Sequence, residues 1–128
     1  MALYSEKLLD HAKYPRKFGR IAEPDIRFEE YNPLCGDRIR VELRVAPSGE
    51  VIEARFSGEM CAIATGSASI LFESLEGKAA DSISAISDVE VLENLAGAVP
   101  KNRIQCALLP IAALRVAVRA EDRGAALT

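Results

Sequence analysis

Segment 38–45 alternates without a break. Ile39, Val41, Leu43 and Val45 fall on one side, and Arg38, Arg40, Glu42 and Arg44 on the other. Successive side chains of an extended chain point to opposite faces, so this pattern predicts an antiparallel strand with one buried and one wet face. Pro47-Ser48-Gly49 has the length and composition of a hairpin turn. Segment 51–56 is expected to return as a strand, with Ile52, Ala54 and Phe56 inward. Segment 26–31 alternates more weakly and predicts a strand upstream. A sequence that does this must build a short meander and cover its apolar face with something else.

The cover is predicted to be helical. In segment 3–13, Tyr4, Leu8 and Ala12 recur at helical spacing and Pro15 stops the run, with His11, the sole histidine, near its end as an expected surface or helix-end residue. After Cys61 comes a run of small residues, Ala62, Ala64, Thr65, Gly66, Ser67, Ala68 and Ser69, then Ile70, Leu71 and Leu75, with Gly77 as an end signal. Small side chains admit a neighbouring backbone, so this helix is expected to pack tightly on the sheet. Ser87-Asp88-Val89-Glu90 is a capping box for a short helix ending before Gly97. Asn102 is the expected cap of a last helix in which Ile104, Leu108, Ile111 and Arg115 fall at roughly helical spacing and Leu114 and Val118 continue the apolar stripe. Pro110 lies inside it, which predicts a kink or a late start, and segment 121–128 is expected to fray.

Between the first two strands stands Pro33-Leu34-Cys35-Gly36-Asp37. A thiol and a carboxylate two positions apart share a face, and the intervening glycine permits a sharp turn. The remaining cysteines, Cys61 and Cys106, each lie where a helix is expected to begin, and a helix N-terminus favours a thiolate. Thiolates bind zinc and iron, and a carboxylate can complete a tetrahedral set. The separations match no short C-x-x-C pattern, so the residues alone leave three readings open: a shared metal or sulfur site, three inert buried cysteines, or one catalytic thiol. Acyl transfer is disfavoured, because His11, the only imidazole, belongs to the first helix.

With 128 residues, 49% of them hydrophobic and 27% charged, the chain is expected to form one globular domain over 1–128. A formal charge of −3 argues against nucleic acid or an anionic membrane as the main partner. No apolar run has the length of a membrane span and no signal-peptide pattern opens the chain, so a cytoplasmic setting is expected. In that setting three cysteines are more often metal ligands or reactive thiols than disulfides.

The residues resemble the IscU/SufU-type iron–sulfur assembly scaffolds, the family that also includes the N-terminal domain of NifU. The likeness runs through Tyr4-Ser5-Glu6-Lys7, Asp10-His11, Pro15-Arg16, Gly19, Asn32-Pro33 and Cys35-Gly36-Asp37. It continues with Ala54-Arg55-Phe56, Cys61-Ala62-Ile63-Ala64, Ser67-Ala68-Ser69, Gly77-Lys78 and Cys106. It implies an α+β fold, with an N-terminal helix, a three-stranded antiparallel sheet, and C-terminal helices packed on one face. It also implies that Cys35, Asp37, Cys61 and Cys106 hold a zinc ion in the protein as isolated and a transient [2Fe–2S] cluster in function. Asp37 would be the weaker ligand. Of the thiols, Cys106 is the expected sulfur acceptor, because it heads a helix that favours the thiolate and Pro110 loosens that turn, with Cys61, also near a helix start, as the competing candidate. The implied partners are a cysteine desulfurase, docking near the first helix and Pro15-Arg16, and recipient apo iron–sulfur proteins.

Two departures stand out. Gln105 replaces the histidine that many IscU-type members carry before the third cysteine. Ala98-Val99-Pro100-Lys101 stands where their Leu-Pro-Pro-Val-Lys loop binds an Hsp70-type chaperone. The missing histidine and Cys106-Ala107-Leu108-Leu109 are similar to SufU-type members, which look like zinc-dependent sulfurtransferases accepting persulfide from the desulfurase. The SufU insertion between the second and third cysteines is absent.

Overall fold

Val41 and Leu43, both fully buried, lie in the central strand of the sheet in a computed structural model of the chain, which describes the backbone of residues 5–33, 36–95 and 99–127 and the side chains up to 119. The elements run α1 (Glu6–Lys13), β1 (Ile26–Asn32), β2 (Asp37–Val45), β3 (Val51–Glu59), α2 (Ala62–Glu73), α3 (Asp88–Asn94) and α4 (Ile104–Leu127). Short 3-10 turns occupy Ala80–Ala85 and Lys101–Arg103. The sheet is antiparallel in the order β1-β2-β3. α4 lies on β1 and β2, α2 lies beside α4 and the end of β3, and α1 packs on α2. The fold is therefore α+β with the helices on one face, as the resemblance implied. Among the described residues no helix is long and apolar enough to cross a membrane.

The inward row of β2 meets Phe56, Phe72, Leu75 and Leu114, all fully buried. Phe56 stacks at 5.2 Å on Phe72, joining β3 to α2. Burying one such ring contributes about 1.5–3 kcal/mol. Ile52, expected inward, is 49% exposed instead. The pairing slips between Arg44 and Val45, so that Val45 faces Val51 while Arg44 faces Glu53. The extra residue takes Ile52 out of phase, and Val51 fills the inward position.

The opposite face is drier than its charges predict. Glu42 is 1% exposed, because residues 20–21 fold across it. Its carboxylate accepts the Ile21 N–H and faces Arg20 and Arg40 at 3.3 and 3.4 Å. Residues 17–19 also pair with the outer edge of β3 through the N–H and carbonyl of Phe56. Glu76 secures that strap, binding Lys17, Arg55 and the Ala54 N–H. Burial pushes the Glu76 carboxyl up, but these donors outweigh it and hold the group below its ordinary value.

α2 is the hub of the helical layer. Its small-residue face receives α1 and α4 more than the sheet, which corrects the expectation. A Cβ on Gly66 would stand 2.6 Å from a Leu8 methyl of α1, and the Ser67 hydroxyl donates to the Ala107 carbonyl of α4 at 2.6 Å. α2 ends at Glu73, before Gly77, whose positive φ instead turns residues 77–79 back onto Val51 and Glu50. Ser87 caps α3 as expected, accepting the Glu90 N–H. Asn102 is not the cap of α4; it sits inside the 3-10 turn that leads into the helix. α4 runs unbroken through Pro110 and carries a helical backbone to Leu127, where a frayed tail was expected from Glu121.

His11 is buried at the α1–α2 seam rather than exposed. Its Nδ1 lies 2.7 Å from the Ser69 hydroxyl, which also accepts the Arg16 N–H, and its Nε2 lies 4.0 Å from Glu73. Desolvation and the nearby Arg16 charge lower its pKa, against the opposing pull of Glu73 and Asp10. An unfolded chain then takes up this proton before the folded one. The stabilisation is complete above the ordinary value near 6.5 and is lost as pH falls through the lowered folded value. Thermal melting temperature should therefore fall on moving from neutral to mildly acidic pH. His11→Gln should flatten that part of the profile and leave the Glu76-linked loss at lower pH.

Candidate metal centre

The end of the sheet delivers two of the four expected ligands. Asn32 and Asp37 face each other across the β1–β2 connection, closed by the Gly36 N–H on the Asn32 carbonyl at 2.8 Å, with Gly36 at φ 75°. That left-handed conformation is the reason for a glycine there. Asp37 opens β2 and is buried. At the same end of the sheet, just past the C-terminus of β3, Cys61 caps α2: its backbone is extended and its Sγ accepts the Ala64 N–H at 3.5 Å. Asp37 Oδ1 accepts the Cys61 N–H at 3.0 Å, so the two residues are locked together.

Cys106 arrives from the first turn of α4 and is 2% exposed, packed with Leu8, Ile63, Ala64 and Leu95. One donor atom each from Asp37, Cys61 and Cys106 lies within 4.8 Å of the others. Around a tetrahedral zinc with bonds of ~2.3 Å to sulfur, donors stand roughly 3.8 Å apart. A small closure suffices. Cys35, the fourth expected ligand, and Leu34 lie outside the described residues, as does Ala98 of the chaperone-loop stretch.

Asp37 Oδ2 is buried and has no hydrogen-bond partner among the described residues. Buried carboxylate oxygens are nearly always partnered, and one left bare costs about 1–3 kcal/mol or more when charged. A cation coordinated by two thiolates and this oxygen removes that cost, so the donor set fits a thiophilic divalent metal. Gln105, by contrast, is exposed and turned into a separate groove of about 400 Å³, lined also by Asn32, Pro33, Leu108 and Arg115. His11 is committed to Ser69. Neither belongs to the trio. What the residue pattern did not reveal is Arg103, which lines a pocket beside Cys61. Its only sequence signal was a basic residue three positions before Cys106.

With this geometry in view, the likeness to known proteins is direct. The NifU-like N terminal domain family matches residues 3–123, and the chain belongs to that family. It is 31% identical over 119 residues to the iron–sulfur cluster assembly scaffold protein IscU of Azotobacter vinelandii, covering 91% of each chain. It is 32% identical over 142 aligned positions to the zinc-dependent sulfurtransferase SufU of Bacillus subtilis, covering 95% of this chain and 93% of the relative. Its fold matches a putative SUF-system scaffold protein from Fervidobacterium islandicum with a TM-score of 0.79 at 21% identity, over 91% of this chain and 96% of that one. A NifU-like N-terminal protein from Brucella abortus matches with 0.78 at 23%, over 94% and 95%.

Asp37→Asn tests the origin of the bare oxygen. The amide keeps an acceptor for the Cys61 N–H but removes the buried charge. The metal-free variant is expected to melt at or above the wild-type temperature. The stabilisation gained on adding zinc should shrink by about 1–3 kcal/mol. Differential scanning calorimetry with and without zinc reads both.

Proposed function

We propose that the chain, as a single domain, is an iron–sulfur cluster assembly scaffold. It would accept sulfur from a cysteine desulfurase, build a transient [2Fe–2S] cluster and hand it to recipient apo proteins. The observation that supports this reading is the convergence of Asp37, Cys61 and Cys106, with one carboxylate oxygen unpartnered among the described residues, in a chain of this family. Cys35 is proposed as the further thiolate. Soft thiolates bind iron and zinc firmly, while the harder carboxylate weakens the hold, which suits a site that must release its cargo.

Sulfur arrival is a thiol exchange without net redox change. A thiolate, proposed to be that of Cys106, attacks the outer sulfur of the desulfurase persulfide. A new S–S bond forms as the old one breaks, and the desulfurase cysteine leaves as thiolate. Cys106 must emerge from its buried position for this. Pro110 has no N–H to offer the Cys106 carbonyl, so the first turn of α4 is held by one intrahelical bond fewer. The desulfurase is proposed to dock on α1 and Arg16, whose guanidinium is paired with Asp10 at 2.6 Å.

A second reading is supported by the B. subtilis relative and by Gln105 lying outside the donor set: a zinc-dependent sulfurtransferase that takes up persulfide and passes it on. Zinc would then stay bound through the same four residues.

Incubation with ferrous iron, cysteine and a desulfurase separates the two. The scaffold reading expects visible [2Fe–2S] absorption that fades on adding an apo acceptor and is abolished by Cys61→Ser or Cys106→Ser. Stoichiometric zinc, persulfide by mass spectrometry and no chromophore would favour the sulfurtransferase. Gln105→Ala is expected to leave zinc content unchanged by elemental analysis. Arg16→Glu should weaken desulfurase binding by about tenfold or more at low salt with zinc retained.

A further inference from the structure

Of the three described donors, Asp37 and Cys106 are buried and Cys61 is half-exposed. Beside Cys61 lies a pocket of about 180 Å³ lined by Cys61, Ala62, Ile63 and Arg103. Three of these residues form the cap and first turn of α2. Arg103 comes from a different part of the chain, the 3-10 turn that feeds α4. The pocket is thus a seam between the two helix starts that carry Cys61 and Cys106. The turn on its far side presents Lys101 and Arg103, both exposed, with Asn102 between them and no acid.

Charge gives this seam a use. Three thiolates and a carboxylate around a divalent ion carry four negative charges against two positive, a sum of −2. A persulfide, thiolate or hydrosulfide that approaches such a centre is itself an anion and meets a field of its own sign. A guanidinium on the rim offsets that field, stays charged at every working pH and offers directional donors. The first turn of α2 adds a partial charge of the same sign.

We propose that this pocket is the port through which an anionic sulfur donor reaches the metal centre, with Arg103 as the positioning residue at its mouth. The identity of the donor rests on the scaffold reading above. The attraction for small anions does not, since it depends only on the Arg103 charge lining the same pocket as Cys61.

The test uses the full-length, zinc-free chain and two alkylating agents of similar size, anionic iodoacetate and neutral iodoacetamide. Site-resolved mass spectrometry reads the rate at Cys61. Arg103→Gln is expected to lower the iodoacetate-to-iodoacetamide rate ratio about tenfold, the lower end of the range by which local fields raise the arrival of a counter-ion. Arg103→Lys should keep most of the ratio, Lys101→Gln should change it little, and the difference should shrink as salt is added. The neutral reagent controls for altered exposure of Cys61. An unchanged ratio in Arg103→Gln, or an equal loss in Arg103→Lys, overturns the port. Failure of the scaffold reading is distinct: wild-type protein would form neither cluster nor persulfide while its alkylation ratio still depended on Arg103.

Discussion

The hydrogen bond from the Cys61 N–H to Asp37 Oδ1 sets the distance between sheet and helical layer at the metal centre. Asp37 starts β2, and Arg38 next to it pairs with Glu59 near the end of β3, so the two chain segments meet there by register. The bond occupies one carboxylate oxygen and aims the other into a buried space with no partner among the described residues. An ionised group in that position is costly in low dielectric unless a cation answers it. That oxygen lies at the position where two thiols also converge. Sites that break a local rule of stability in this way are where function is expected.

The remaining precision comes from α2. Cys61 is fixed to its N-terminus and Cys106 to the start of α4, so their separation depends on how closely those helices pack. Gly66 lets Leu8 of α1 settle against the α2 backbone, and Ser67 reaches the Ala107 carbonyl one residue after Cys106. The run of small residues after Cys61 is thus a device for holding three helices in register at one end of the sheet.

Much of this was legible because it depends on short-range pattern. The period-two alternation of β2, the Ser87 cap of α3 and the left-handed glycine at Gly36 ahead of Asp37 each express a local rule, and each appears where the residues predict it. The misreadings are long-range. Ile52 fell out of phase through a slip in pairing with β2, invisible from β3 alone. Glu42 was assigned to water because nothing in its own strand announces that residues 20–21 will cover it. His11 was read as a surface residue because its partner, Ser69, is supplied by a different helix. Arg103 escaped notice for the same reason: its proximity to Cys61 is created by the α2–α4 seam and not by spacing.

The separation of the donors along the chain has its own consequence. In a C-x-x-C site the ligands belong to one turn, and metal can persist while the rest of the domain opens. Here Asp37 begins a strand, Cys61 caps one helix and Cys106 lies in the first turn of another. A metal held there would be coupled to tertiary packing, and unevenly so. Asp37 and Cys61 are tied by their own hydrogen bond and move together. Cys106 is attached to them through helix packing, in a turn whose Pro110 cannot donate to the Cys106 carbonyl. Displacing that turn would withdraw one candidate thiolate while Asp37 and Cys61 keep their mutual geometry. Such a centre can exchange a ligand stepwise instead of losing all its donors at once, which is the mechanical property that loading sulfur and releasing a cluster both require.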